Sequence, residues 1–161
     1  PCREIRSESA EDTLLTDTRD RELLKEMMRN QSEEVAARLR KRHLVGSTAT
    51  VKIKYDNFKV ITRSRTFSCP LASSKGLYEA ACAILDSLEL ERPVRLIGVR
   101  LSGFGGVRRE GSLLPLLTGG PVPEEREKRN VRLERAMDDL RKRFGNDIIR
   151  RGAPAGQKDG R

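Results

Sequence analysis

The chain has 161 residues, with 33 Lys and Arg against 24 Asp and Glu, and a formal net charge of +9. It contains no apolar run of about 18 residues and no basic stretch leading into an apolar one at its start, so we expect neither a membrane span nor a secretory signal. Three widely spaced cysteines suit a reducing cytosol, and the excess of positive charge predicts a polyanionic partner, with nucleic acid first.

The first part of the chain predicts a strand followed by a long helix. Residues 3–9 form a short strand candidate with a weak pattern. A helix N-cap is predicted at Asp17 and Thr18, and apolar residues at helical spacing follow over residues 24–39. A basic run complements the end of this helix, and Gly46 is the predicted stop.

The spacing of apolar residues then changes to the alternation that is typical of β-strands, and two such strands form a predicted hairpin. Residues 50–56 and 58–67 alternate as two strands around a turn signal at residues 56–57. In the second strand Arg63 and Arg65 share one face, which we expect to face solvent. The hydroxyl residues that alternate with them are then predicted to point toward the helices: Thr62, Ser64 and Thr66.

A second helix and a fourth strand follow. Ser73 and Ser74 predict a helix N-cap, and an apolar stripe runs over residues 77–88. Residues 94–104 predict a strand whose apolar residues change parity at Gly98. We expect a β-bulge there that keeps four apolar residues inward: Val94, Leu96, Val99 and Leu101.

The composition shifts after residue 104. We divide the chain into a domain of residues 1–104, a flexible linker of residues 105–123, a helical segment of residues 124–151 and a disordered tail of residues 152–161. The linker holds an apolar patch of five residues: Leu113, Leu114, Pro115, Leu116 and Leu117. This patch is either a latch onto the protein's own core or a peptide that inserts into a partner's groove.

The element order predicts an α+β fold of the β-α-β-β-α-β type. Its four-stranded antiparallel sheet carries two helices on one face and leaves the other open, and a C-terminal linker and helix follow. Six cations are predicted on the open face: Lys52, Lys54, Arg63, Arg65, Arg95 and Arg100. Such an array suits the sugar-phosphate backbone of a nucleic acid, and the alternative is a face decorated for solubility. Aromatic residues are scarce, which favours duplex binding over base stacking.

No set of residues predicts catalysis in this chain. His43, beside two other cations, is an ordinary helix-end cation by its pattern. The acidic pairs at residues 33–34 and 138–139 are interpreted as solvated salt-bridging faces, and Cys69 and Cys82 as buried small apolar residues. We therefore expect no catalytic residue, no metal and no cofactor within the chain.

Two segments of the sequence closely resemble the little finger of Y-family DNA polymerases, the C-terminal DNA-binding domain of the DNA polymerase IV branch. These are residues 51–66 (VKIKYDNFKVITRSRT) and residues 94–104 (VRLIGVRLSGF). Residues 34–40 are similar to the end of the family's long first helix, and residues 133–151 resemble its C-terminal segment. The resemblance covers the chain to about residue 151.

The resemblance implies that the sheet lies in the DNA major groove and grips backbone phosphates beside a remote active site. It implies phosphate-binding roles for Arg63 and Arg65 together with the neighbouring hydroxyls. With the cations of the open face, the predicted DNA-binding set is Lys52, Lys54, Thr62, Arg63, Ser64, Arg65, Thr66, Arg95, Arg100 and Ser102.

The resemblance also implies a partner and a missing part. The patch at residues 113–117 stands where many family members carry a sliding-clamp peptide of the form Gln-Leu-x-Leu-Phe. The family's palm, which holds Mg²⁺ with carboxylates, is expected before Pro1. We therefore expect a DNA-binding C-terminal part of a translesion polymerase, monomeric and in the bacterial cytosol at the nucleoid. The alternative is a stand-alone, non-catalytic module that binds DNA or a sliding clamp.

Overall fold

A computed structural model describes residues 5–104 and 123–145 of the chain. In these ranges the elements are β1 (Ser7–Thr18), α1 (Arg21–Lys41), β2 (Gly46–Tyr55), β3 (Val60–Leu71), α2 (Ser74–Asp86), β4 (Val94–Ser102) and α3 (Pro123–Phe144). The strands form one antiparallel sheet in the order β1-β4-β2-β3. The predicted α+β fold, with its β-α-β-β-α-β order, is confirmed.

The core lies between one face of the sheet and the helices α1 and α2. Alternate residues of the two central strands are buried there, including Ile53 and Tyr55 of β2 and Ile97 of β4. Leu24 of α1 and Leu77 of α2 pack against them and are also almost fully buried. The period of two in the strands and of about 3.6 in the helices brings these apolar residues to one shared layer.

The two ends of α1 differ from the prediction. Asp20, and not Asp17 or Thr18, is the N-cap, because its side chain accepts hydrogen bonds from the backbone N–H groups of Glu22 and Leu23. The residues before it belong to β1, which is longer than the predicted segment 3–9. At the other end α1 stops at Lys41 without using Gly46, and His43 takes the left-handed backbone conformation with φ of 55°.

The predicted β-bulge at Gly98 is wrong. Gly98 pairs regularly with Glu11 of β1 and Lys52 of β2. The irregularity lies nearer the start of β4, where Lys54 pairs with Leu96 but the next residue of β2 pairs with Val94. The extra residue restores the inward direction of Val94, whereas Leu96 points to the open face.

The helix α3 docks on the helix layer through its polar side. Its Glu127 accepts hydrogen bonds from the backbone N–H groups of Ala72 and Ser73, at 2.8 and 2.7 Å, at the start of α2. Glu134 accepts from the backbone N–H and the hydroxyl of Ser74, and it forms an ion pair with Arg40 of α1. Carboxylates placed at a helix N-terminus complement its dipole and its unpaired N–H groups.

The opposite side of α3 carries three large apolar residues that face solvent. Leu133, Leu140 and Phe144 are 52%, 41% and 62% exposed. The predicted helical stop at Gly145 is confirmed, because this glycine follows α3 with φ of 93° and its N–H donates to the carbonyl of Arg141. None of the helices in the described ranges is long and apolar enough to cross a membrane.

Candidate nucleic-acid interface

The face of the sheet that carries no helices is called the open face below. The strand register arranges its side chains in four rows, because residues directly opposite one another in paired strands share a face. In the strand order β1, β4, β2, β3, the rows are Ser7, Ser102, Thr48 and Thr66; Ser9, Arg100, Thr50 and Ser64; Glu11, Gly98, Lys52 and Thr62; and Thr13, Leu96, Lys54 and Val60.

Hydroxyl side chains dominate this face. The hydroxyl oxygens of Thr48 and Thr66 lie 3.0 Å apart, and those of Thr50 and Ser64 lie 2.8 Å apart. Thr62, Ser64 and Thr66 were predicted to point toward the helices, and the register shows that this orientation is wrong. Thr48 and Thr50 were missed by the sequence reasoning, although alternation in β2 places them on the same face as the two lysines of that strand. Their pairing with Thr66 and Ser64 brings them into the hydroxyl rows.

The two arginines of β3 are also placed differently from the prediction. Arg63 pairs with Val51 and Arg65 with Ala49, so both arginines share the helix side with these buried residues. The reason is the hairpin turn. A turn of only residues 56–57 would set Val51 opposite residue 62, but the observed turn sets it one residue further on. A shift of one residue moves every side chain of a strand to the other face.

Arg63 and Arg65 nevertheless remain exposed. β3 is an edge strand, and all of residues 62–66 are exposed, whichever face they occupy. The edge segment 62–66 therefore presents hydroxyls on the open face and guanidinium groups on the other. Both sets can reach a ligand that lies along this edge.

The remaining predicted cations lie on the open face or at its end, and several are paired. Lys52 Nζ lies 2.9 Å from the carboxylate of Glu11, across Gly98 of the strand between them. Arg95, at the irregular start of β4, is held by two hydrogen bonds to Asp17, which raise the pKa of its guanidinium. Arg100 is exposed in the second row.

Gly98 permits the close approach of β1 to β4. A Cβ atom added at this position would lie 2.7 Å from the Cβ of Glu11 and 3.2 Å from the carbonyl oxygen of Ala10. We expect Gly98→Ala to lower the free energy of unfolding by about 1–3 kcal/mol, because β1 must move away. Urea denaturation measures this change. Ser9→Ala, at an exposed position of β1, is the control and is expected to cost less than about 0.5 kcal/mol.

An ion pair between Arg92 and Asp56 ties the hairpin turn to the segment just before β4. Arg92 donates to both carboxylate oxygens of Asp56, at 2.6 and 3.0 Å. The hydrogen bond from Arg92 lowers the pKa of Asp56. Because the folded pKa lies below the unfolded one, the stabilisation is present above the unfolded pKa and is lost as the pH falls through the folded pKa.

This linkage predicts a pH-dependent difference between the wild type and Asp56→Asn. Near neutral pH the wild type is expected to be the more stable of the two, and the difference is expected to shrink below about pH 4. Thermal unfolding at several pH values measures it. An unchanged difference down to about pH 2 would contradict the role of the charged pair.

The described residues offer little for catalysis. Within residues 5–104 and 123–145, no group of three or more His, Cys, Asp or Glu side chains is arranged to hold a metal ion. Burial raises the pKa of both Cys69 and Cys82, so their thiols stay protonated near neutral pH and are poor nucleophiles.

Comparison with known proteins decides the family. The model of the impB/mucB/samB family C-terminal domain matches residues 5–114, which include the whole sheet and its two covering helices. The chain belongs to this family. The DNA polymerase IV of Clostridium kluyveri is 33% identical over 156 residues, which cover 94% of this chain and 38% of that protein.

Solved structures agree on the fold of this family domain. DinB from Sulfolobus solfataricus matches with a TM-score of 0.53 and 22% identity, over 61% of this chain and 28% of that one. A complex of the beta-clamp processivity factor and the little finger domain of PolIV matches with a TM-score of 0.53 and 22% identity, over 67% of this chain and 97% of that one. The predicted resemblance to the little finger is confirmed.

The chain spans 38% of the length of the curated relative from Clostridium kluyveri. The predicted clamp peptide at residues 113–117 lies outside the described residues. The DNA-binding roles of the ten predicted residues stay predictions.

Proposed function

We propose that this chain is the DNA-binding part of a translesion polymerase and holds the primer-template duplex by its backbone. The observation that carries the proposal is the edge segment 62–66. Its five consecutive residues are exposed, and they supply two guanidinium groups and three hydroxyls without an acidic residue. Phosphate oxygens accept hydrogen bonds from both kinds of group.

The proposed mechanism places one DNA strand along the edge of the sheet. The hydroxyls of Thr62, Ser64 and Thr66 contact phosphates from the open face, and Arg63 and Arg65 contact them from the helix side. Arg100 and Ser102 extend the contact across β4, and Lys52, Lys54 and Arg95 add positive potential. These groups read no base edges, so the grip is largely independent of sequence.

Binding to unrelated duplexes tests this function. Fluorescence anisotropy with the full chain is expected to give dissociation constants within about threefold of one another for duplexes of equal length and different sequence. A preference of about 1,000-fold for one sequence would contradict the backbone grip, since such ratios are typical of base readout.

A sliding clamp is the second proposed partner. The apolar segment at residues 113–117 supports it, as does the fold shared with the little finger domain that was solved with the beta-clamp processivity factor. Replacing Leu116 and Leu117 by Ala is expected to abolish capture by a purified clamp while DNA affinity stays within about twofold. Undiminished capture would contradict the assignment of this segment.

For the whole protein we propose template-directed DNA synthesis during damage tolerance, in the bacterial cytoplasm. The relatives named DNA polymerase IV support this proposal. Nucleotidyl transfer of this kind uses Mg²⁺ held by carboxylates, and we propose that those ligands lie outside this chain.

A further inference from the structure

One exposed aromatic ring lies at the end of the sheet, in the turn between β2 and β3. Phe58 is 61% exposed, and its ring is approached by two cations. Lys54 Nζ lies 4.8 Å from the ring centroid, and Arg95 Cζ lies 4.7 Å from it. We call these three residues the hairpin corner. Of the aromatic residues that the structure describes in the sheet and its turns, Phe58 is the exposed one.

The backbone of Phe58 is unusual for its residue type. Its φ of 66° lies in the left-handed region, which Gly and Asn adopt at lower cost than an aromatic residue. The turn is nevertheless formed, because the Phe58 N–H donates to the carbonyl of Tyr55 and the Tyr55 N–H donates to the carbonyl of Lys59. A ring that is both exposed and held in a costly conformation points to a role outside the fold's own packing.

The neighbours of the ring suit a nucleic-acid strand that has left the duplex. Lys54 lies in the last row of the open face, beside the apolar Leu96 and Val60. This end of the face therefore combines an apolar surface with cations, whereas the opposite end is lined by hydroxyls. Aromatic rings next to Arg and Lys are the usual stacking platform for unpaired bases.

We propose that the hairpin corner binds an unpaired nucleobase of a single-stranded segment that adjoins the duplex. The base stacks on the Phe58 ring where Lys54 now lies, and Lys54 moves to a neighbouring phosphate. Arg95, whose Nε and Nη2 groups donate to Asp17, offers Nη1 to the phosphate on the other side. The site rests on the proposed function, because it requires the duplex to lie on the same sheet. It adds a substrate class, since a primer-template with a single-stranded extension is then preferred to a blunt duplex.

Two DNA substrates and four proteins test this site. Fluorescence anisotropy compares a blunt duplex with the same duplex carrying a single-stranded extension, for the wild type, Phe58→Asn, Phe58→Trp and Phe144→Asn. Asn suits the left-handed backbone, so Phe58→Asn removes the ring without opposing the turn. Phe144→Asn is the matched control, because this ring is 62% exposed but lies on α3.

The extension is expected to raise the affinity of the wild type at least about 5-fold, which is the lower end of the gain in affinity found for stacking one base on an aromatic side chain. Phe58→Asn is expected to lose this gain and to keep blunt-duplex affinity within about twofold, whereas Phe58→Trp and Phe144→Asn keep the gain. A 2-aminopurine in the extension reports stacking directly through quenching of its fluorescence, which Phe58→Asn is expected to relieve.

The outcomes separate this site from the proposed function. Salt-dependent binding of the blunt duplex without a gain from the extension, or a gain that survives Phe58→Asn, would overturn the stacking site and leave the backbone grip intact. An equal loss of affinity for both substrates in Phe58→Asn would also overturn it. A wild type that binds neither substrate would overturn both proposals.

Discussion

Raising the salt concentration from about 50 to about 200 mM is expected to weaken duplex binding by the full chain roughly 250- to 1,000-fold. The reason is counterion release. If about four to six phosphates are neutralised, each contributes about −0.9 to the slope of log K against log salt, and the total slope is about −4 to −5. Anisotropy titrations at several salt concentrations measure the slope. A slope near zero would contradict electrostatic backbone binding.

The edge segment 62–66 supplies the sharpest variant for this measurement. Changing Arg63 and Arg65 together to Ala is expected to reduce the magnitude of the slope by about two, one for each lost phosphate contact. Changing both to Lys keeps the charge and is expected to keep most of the slope. The variant also tests the proposed position of the DNA strand. The two guanidinium groups lie on the side of β3 that faces away from the open face, so they can contact only a strand that runs along the edge of the sheet.

A charge-matched control separates local contact from net charge. Arg132 and Arg135 are exposed residues of α3, and changing both to Ala removes the same charge as the β3 variant. We expect this control to leave the slope unchanged within about 0.5, because these residues lie on α3 and belong neither to the edge segment 62–66 nor to the open face. If the magnitude of the slope fell equally in both double variants, net charge alone would govern binding and the edge segment would have no special role.

Glu134→Ala is expected to lower the free energy of unfolding by about 2–3 kcal/mol. This is less than for a fully unpaired buried charge, because Arg40 keeps its ion pair with Asp138 at 2.9 Å. The Glu134 carboxylate pairs with Arg40, and the two side chains are only 5% and 9% exposed. The same carboxylate accepts two hydrogen bonds at Ser74, the backbone one at 3.0 Å and the hydroxyl one at 2.6 Å. Its removal leaves a buried cation and two buried donors with one partner fewer.

Glu79→Ala is the matched control for this prediction. It removes an ion pair between Glu79 of α2 and Arg126 of α3, at 2.9 Å, whose side chains are 48% and 45% exposed. We expect a loss below about 1 kcal/mol, because solvent screens this pair. Thermal unfolding and trypsin cleavage within α3 measure both variants. If Glu134→Ala were as stable and as resistant as Glu79→Ala, the docking of α3 would not depend on the buried pair.

The fold was largely predictable from the pattern of residues. Alternation in β2 and the apolar stripes of α1 and α2 are local signals that follow from the geometry of strands and helices. The N-cap at Ser73 was found because a side-chain oxygen there satisfies the N–H of Gly76, a bond within one turn. The N-cap of α1 was missed because a longer β1 includes the predicted cap residues.

The candidate site was predictable in its residue types and not in its faces. Arg63, Arg65 and the alternating hydroxyls stand out as an acid-poor strand, and that feature is local. The face that each of these side chains occupies depends on whether the hairpin turn has two residues or three. The third residue is Phe58, whose left-handed backbone is uncommon for Phe and could not be predicted from local sequence. The position of the irregularity in β4 depends in the same way on pairing with β2. The β-bulge was predicted at Gly98 because glycine often marks a bulge, but the observed irregularity lies between Val94 and Leu96.

The sequence by itself determined the element order, the α+β class, the basic character of the sheet and the resemblance to the little finger. These follow from local periodicity, charge and motif. Only the tertiary structure decided which side chains share the open face, that Phe58 meets Lys54 and Arg95, and that α3 buries Glu134 while exposing Leu133 and Leu140. Strand register and the partner of a helix face are set by contacts between distant segments, which compete with local preference and here override it.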